Sequence, residues 1–409
     1  MSQRSIESRK SWHIALIVLT VLSVSFGSPL VIIVGLKQIQ AAMGTDRALL
    51  SLASALVWLG NGLGGIVMGL LADRLGVRTI ATLGVVAIAA GLGLSSVGTV
   101  WALCVGHGLL IGFFGNGALY APLTVYVSRW FDVRRGTALA LIASGQYVAG
   151  ILWPSVLELG IARYGWQLTM LMFGAIVLAL LPLMLLLRPA PEPLTAGPAA
   201  AVASGDGRVL GLRPNVVMAM VAIGSFFCCI PMALPASHLV AFAGDLGISS
   251  SHSAAMLSVM LSCALISRQA WGAMADRTGG LRMLLAGSAA QAMANAAFIL
   301  GRGELGMFIL AAIYGLAFSG IVPAYGLIVR DLFPSREAAW RIPTILFTSM
   351  SGMAFGSWFA GWLFDQAQSY KPAIELGMVC NAINLALIGF LVCRIRTPSS
   401  NPLQATAAE

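Results

Sequence analysis

Charge-free apolar runs recur from one end of the chain to the other, at 14–36, 48–72, 79–97, 101–128, 136–157, 166–187, 214–240, 253–275, 283–301, 305–329, 342–364 and 376–393. Each approaches the roughly 17–25 residues a helix needs to cross a bilayer, and tilt absorbs the longer ones. The pattern predicts an all-α membrane protein with twelve transmembrane helices. Its least marked division lies within 79–128, one charge-free stretch split at Ser95-Ser96-Val97-Gly98-Thr99. The run 253–275 is interrupted by a single charge, Arg268.

Composition fits this picture. Only 10% of the 409 residues are charged, against about 25% in an ordinary soluble domain. With an even number of spans both termini share a side. That side carries 18 of the 24 Lys and Arg, while the opposite loops hold Lys37, Arg47, Arg163, Arg302 and Lys371. The positive-inside rule then puts both termini in the cytoplasm, and the expected location is a bacterial cytoplasmic (inner) membrane. The net charge of +9 is read as membrane topology, not as a nucleic-acid surface. The six cysteines, Cys104, Cys228, Cys229, Cys263, Cys380 and Cys393, fall in or beside spans without metal-ligand spacing and read as small packing residues. The basic segment before Ile14 leads into a run too long for a signal peptide and lacking a small-residue cleavage site, so it reads as the first span.

The chain also repeats itself. Gly69-Leu70-Leu71-Ala72-Asp73-Arg74-Leu75-Gly76 after the second span matches Gly272-Ala273-Met274-Ala275-Asp276-Arg277-Thr278-Gly279 after the eighth, 203 residues later. Arg129-Trp130-Phe131-Asp132-Val133-Arg134-Arg135 after span four pairs with Arg330-Asp331-Leu332-Phe333-Pro334-Ser335-Arg336 after span ten. Two six-helix halves related by an axis along the membrane normal would produce both pairings. The halves are set at 1–188 and 214–409. The stretch 189–213, rich in Pro, Ala, Gly and Ser, is expected to be a flexible cytoplasmic linker.

The duplicated Gly-x-x-Ala-Asp-Arg-x-Gly loop resembles the signature of the major facilitator superfamily, whose fold would cover the whole chain. Within it, Arg129 to Ala138 looks like the aromatic-Phe-x-x-Arg-Arg-x-x-Ala segment of monocarboxylate transporters. Ser267-Arg268-Gln269-Ala270-Trp271-Gly272 is similar to their span-eight segment and to that of oxalate–formate antiporters. The departures are specific. Ala264 stands where the animal transporters usually carry an aspartate, and Leu30 follows Pro29 where they carry a lysine. Only fragments of their span-one Trp motif remain, around Trp12. No cation occurs between Ile342 and Phe364, where oxalate antiporters place a second one.

Arg268 lies eight residues before Asp276, roughly 12 Å deeper at about 1.5 Å per residue, close to the midplane of a core about 30 Å thick. A charge there costs at least ~2.5 kcal/mol and is normally kept facing a cavity or partner. No Asp or Glu lies at similar depth, so a bound anion is expected, the guanidinium fork matching a carboxylate bidentately. The alternative is a structural arginine bonded to helix carbonyls or snorkelling to the surface. Tyr120 and Asn116, one turn apart in span four, are candidates beside it; the resemblance implies a cavity tyrosine at Tyr120. Tyr147 in span five, Tyr325 aimed inward by a kink at Pro323, and Ser351 in span eleven complete the candidate substrate set. Each could equally serve helix packing.

Asp73, Arg74 and Arg78, with Asp276, Arg277 and Arg282, are expected to bond neighbouring helix ends in one conformational state and release them in the other; simple positive-inside anchoring is the alternative. His107 in span four is the candidate for proton coupling, against a structural role. The expected function is secondary transport of a small organic monocarboxylate, lactate- or pyruvate-like, by alternating access with proton symport, in a monomer among membrane lipids. An organic-anion exchanger or a drug or toxin efflux antiporter is the alternative. The exporters' Gly-x-x-x-Gly-Pro-x-x-Gly-Gly and their cavity acid are both missing here. No nucleophile–base–acid set, metal cluster or Walker motif suggests an enzyme, a metal or a cofactor.

Overall fold

The computed structural model describes residues 7–131, 134–188, 208–301 and 303–395. Long helices succeed one another through them: α1 (Arg9–Met43), α2 (Arg47–Leu75), α3 (Val77–Ser95), α4 (Val100–Ser128), α5 (Gly136–Tyr164) and α6 (Trp166–Leu185). The second half follows with α7 (Pro214–Asp245), α8 (Ser250–Thr278), α9 (Gly280–Leu300), α10 (Gly303–Leu332), α11 (Ser335–Ala367) and α12 (Lys371–Cys393). Eleven are long and apolar enough to cross a membrane; α11, the twelfth, begins with a polar turn containing Arg336, Glu337 and Arg341. The division expected at Ser95 to Thr99 is where α3 ends and α4 begins. Twelve crossings leave the start of α1 and the end of α12 on one face, the terminal face; the other is the distal face.

Hydrocarbon offers no water to a free N–H or C=O, so a spanning segment must satisfy its own backbone. Several spans depart from regular helix, and two of the breaks, in α1 and α10, are repaired in the same way. In α1 the helix stops at Ser25 and resumes at Leu30, just after Pro29, which has no N–H to donate. The amide of Gly27 turns to the carbonyl of Val24 at 2.9 Å, leaving that of Ser23, its helical partner, to Trp153 Nε1 of α5 at 2.7 Å. In α10 the break falls at Ser319 and Gly320. There Trp271 Nε1 of α8 donates to Leu316, four residues before the glycine, at 2.8 Å. Both positions require glycine, because a Cβ at Gly27 would lie 2.6 Å from the Trp153 ring and one at Gly320 would strike Trp271. The prolines of α7 are handled similarly: Pro235 frees the carbonyl of Pro231, and Tyr314 Oη donates to it at 3.4 Å.

Within the first half, α4 runs from Val105 to Asn116 as a wide, i→i+5 bonded helix. It packs backbone to backbone on α2: a Cβ at Gly60 would fall on the carbonyl of Gly108, and one at Gly64 on that of Phe113. Small residues are what permit such contact between spans. Of the expected linker, 189–207 lie outside the described residues. Its last six are not featureless: Val209 and Leu212 exchange backbone bonds at 2.9 Å around Leu210 and Gly211, both at positive φ. The turn rests on the apolar core of the second half.

Gly60→Val should therefore cost about 1–3 kcal/mol through overpacking against a backbone that cannot yield. A lowered melting temperature of the purified protein checks this, with Gly69→Val, where nothing lies within 4 Å, as the unchanged control.

Candidate functional site

Arg268 projects half-buried from α8. Its guanidinium carbon stands 5.3 Å from the ring centre of Tyr147 on α5, so the contact crosses between the halves at mid-depth. Tyr147 interacts electrostatically with both Arg268 and Tyr120 of α4. Tyr120 is itself half-buried and packs edge-on against Phe26, 5.6 Å away, at the break in α1. Among the described residues no carboxylate comes within ion-pair distance of Arg268. The preceding residue anchors it: Ser267 Oγ meets Ser319 Oγ at 2.8 Å, at the break in α10. Arg268, Tyr147 and Tyr120 thus form one cluster, carried by α8, α5 and α4 and bordered by the breaks in α1 and α10.

The other candidates lie elsewhere. Tyr325 is fully buried in the apolar core of the second half, with Ile328 and Cys228. The expected kink at Pro323 does not aim it inward, because the helix breaks earlier, where Gly320 lets Trp271 approach. Ser351 is half-buried, its hydroxyl donating to its own Phe347 carbonyl at 2.8 Å. Asn116 is buried at the end of the wide helical stretch, and neither amide atom has a partner. His107 is fully buried with its Nδ1 2.9 Å from Ser95 Oγ, so it faces α3 and not the Arg268 cluster.

At the terminal face the charged loops bond within their own halves. Asp73 pairs with Arg129 at 3.2 Å, and Asp331 accepts from the amide of Gly280 at 3.0 Å. Asp73, Arg78 and Arg129 line a cavity of about 520 Å³ between α2 and α4. Arg74, Arg78, Asp276, Arg277 and Arg282 are exposed and have no ion pair among the described residues.

The distal face is fastened instead, by residues the sequence pattern did not single out. Arg47, at the start of α2, is only 4% exposed. Its Nη1 donates to Asp245 Oδ2 of α7 at 2.6 Å and to Tyr370 Oη at 3.0 Å, and its Nε donates to Gln40 at 3.2 Å. The guanidinium lies 3.7 Å over the ring of Phe364, and Lys37 Nζ joins Asp245 at 3.0 Å. Asp46 occupies the N-cap position of α2 without capping it. The first amides of α2, at Arg47 and Ala48, donate to Asp365 of α11 at 3.0 and 2.7 Å. The helix is capped from the opposite half, where a carboxylate also complements its dipole.

Behind this cluster sits His238 of α7, buried, with Nδ1 2.9 Å from Tyr370 Oη and Nε2 2.8 Å from the Ser357 carbonyl. A carbonyl only accepts, so Nε2 carries the proton and Nδ1 accepts from Tyr370. Burial holds the Tyr370 phenol above its ordinary pKa, so its hydrogen stays available. A second tie joins Ser250 of α8 to Glu158 of α5 at 2.7 Å. The signal for this network was available only as charges at span ends, since its members lie 198 and 323 positions apart.

Comparison with known proteins accords with this architecture. Residues 15–339 match the family described as Major Facilitator Superfamily. The chain is 26% identical over 328 residues to Monocarboxylate transporter 13 of Rattus norvegicus, covering 79% of this chain and 74% of that one. It is 25% identical over 319 residues to the Fujikurins efflux protein of Gibberella fujikuroi, covering 74% and 66% respectively. Among solved structures, a peptide transporter POT in complex with sulfate superposes with a TM-score of 0.75 at 15% identity, covering 94% of each chain. The nucleoside transporter NupG gives 0.73 at 13% identity, covering 94% of this chain and all of that one. With its paired halves, its broken spans and a family match across most of its length, this chain belongs to the Major Facilitator Superfamily, as a multi-pass membrane transporter.

Proposed function

We propose that this transporter carries a small organic monocarboxylate, of lactate or pyruvate size, bound at Arg268. The observation that carries the reading is the mid-depth guanidinium with no acidic partner, left for the cargo to neutralise. Tyr147 offers its ring to the cation, and the Tyr120 phenol can donate to a carboxylate or hydroxyl while its ring packs on a short alkyl chain. One intramembrane cation suits a monoanion. The likeness to Monocarboxylate transporter 13 supports the same cargo class.

The terminal face, with its excess of basic residues, is taken as cytoplasmic, in a bacterial inner membrane. The distal face is then external, and the fastened distal end describes an inward-open state. Alternating access would exchange the Arg47 network for new bonds from Asp73, Arg78, Asp276 and Arg282 across the opposite end. Net movement is proton-coupled, with substrate and proton sharing the Arg268 site. Export of an organic anion is the second reading, favoured by the likeness to the Fujikurins efflux protein.

Arg268→Ala should reduce saturable lactate or pyruvate uptake in proteoliposomes to background while leaving the melting temperature unchanged; normal uptake by this variant would remove the assignment. Arg268→Lys should retain charge but lose about tenfold or more in transport, the effect of about 1.4 kcal/mol of cargo binding. In a thermal-shift screen, short monocarboxylates should raise the melting temperature, and dicarboxylates and apolar cations should not. His107→Gln should leave pH-driven uptake intact, since the ring is buried and bonded at Nδ1 to Ser95 of α3, away from the Arg268 cluster; loss of coupling would restore His107 to the mechanism.

A further inference from the structure

We infer that His238 is an external proton site that controls the distal closure, so that protonation of its Nδ1 releases Arg47 and opens the transporter outward. The inference rests on the reading of the distal face as external and of transport as proton-coupled, and it adds a control of opening by external pH to the proton shared at Arg268. As the structure stands, Tyr370 passes a single hydrogen-bond chain between the halves: Arg47 Nη1 donates to its oxygen, and its own hydrogen goes to His238.

Nε2 is held by the Ser357 carbonyl, so an incoming proton can settle only on Nδ1. Two donors would then point at one phenol oxygen, and the phenol hydrogen would have no acceptor. The imidazolium would also face a cation. The titratable and charged groups around His238 are Tyr370, Arg47 and Asp245, with Lys37 and Asp365 bonded to the far side of the cluster. Of these, Arg47 opposes a charged imidazole and Asp245 favours it. Its nearest neighbour, Tyr370, is the one arranged to report the change to Arg47. A cavity of about 360 Å³ lined by Val34, Lys37, Val240, Gly244 and Ser250 opens beside the closure, at the lysine that pairs with Asp245.

The test needs no cargo. Spin labels at Ala42→Cys and Leu246→Cys, on opposite halves of the distal face, are placed in a chain whose Cys104, Cys263 and Cys393 are replaced by Ala, and the purified protein is reconstituted in lipid. On going from about pH 8 to about pH 5 the label separation should shift to a longer-distance population, because the imidazole buried in the closed form takes its proton once the opened form exposes it to water. His238→Gln, whose amide can donate to Ser357 and accept from Tyr370 but cannot titrate, should hold the short distance at both pH values. Tyr370→Phe, which removes the relay, should lose the pH dependence even if the glutamine variant folds poorly. A wild-type distance unmoved by acid, or a pH shift of full size in either variant, overturns the inference. Arg268→Ala in the same labelled chain should keep the acid shift. An acid-opened protein that takes up no carboxylate would therefore sink the substrate reading and leave this one standing.

Discussion

A guanidinium removed from bulk water must find its counter-charge, and this chain treats two arginines in opposite ways. Arg47 is surrounded: a carboxylate, a phenol, an amide and two aromatic faces meet it, from segments far apart in sequence. Arg268 has an aromatic ring and, among the described residues, no acid. The first arrangement is complete without a ligand and so can hold the halves together at one end. In the proposed reading, cargo completes the second. A transporter needs both, since a site fully satisfied in the empty state would have no reason to bind.

The demand that hydrocarbon places on the backbone governs where the spans may bend. The breaks in α1 and α10 border the Arg268 cluster, and each is held by an indole N–H from a neighbouring span. The two tryptophans belong to α5 and α8, the same helices that bring Tyr147 and Arg268 face to face. Irregular backbone at membrane depth is tolerated where it is buried in protein or lines a cavity, and here it is fixed to the elements that carry the site.

Much of the fold was legible because a bilayer imposes a simple pattern. The boundary between α3 and α4 was found at Ser95 to Thr99 in a stretch without any charge, from small and polar residues alone. Arg268 was legible as a charge out of place. Direction is harder to read. His107 lies in the wide turns of Val105–Asn116, which move residues off ordinary helical spacing, and its ring meets α3. Tyr325 was lost because a proline draws attention, while the break depends on Gly320 and the indole that needs its missing Cβ. Arg47 and His238 gave no local signal at all. One reads as a loop base, the other as a histidine two residues from the end of an apolar run, and their meaning comes from partners on the other half.

The cap that Asp365 supplies to α2 has a thermodynamic side. The amides of Arg47 and Ala48 satisfy themselves with a carboxylate of the opposite half, so parting the distal ends strands two N–H groups and an acid together. Solvent must take over those bonds as the gap widens. Parting of the distal ends is thus an uptake of water as well as a rearrangement of charge, and the balance between the two states follows osmotic pressure: solutes excluded from the crevice favour the shut form.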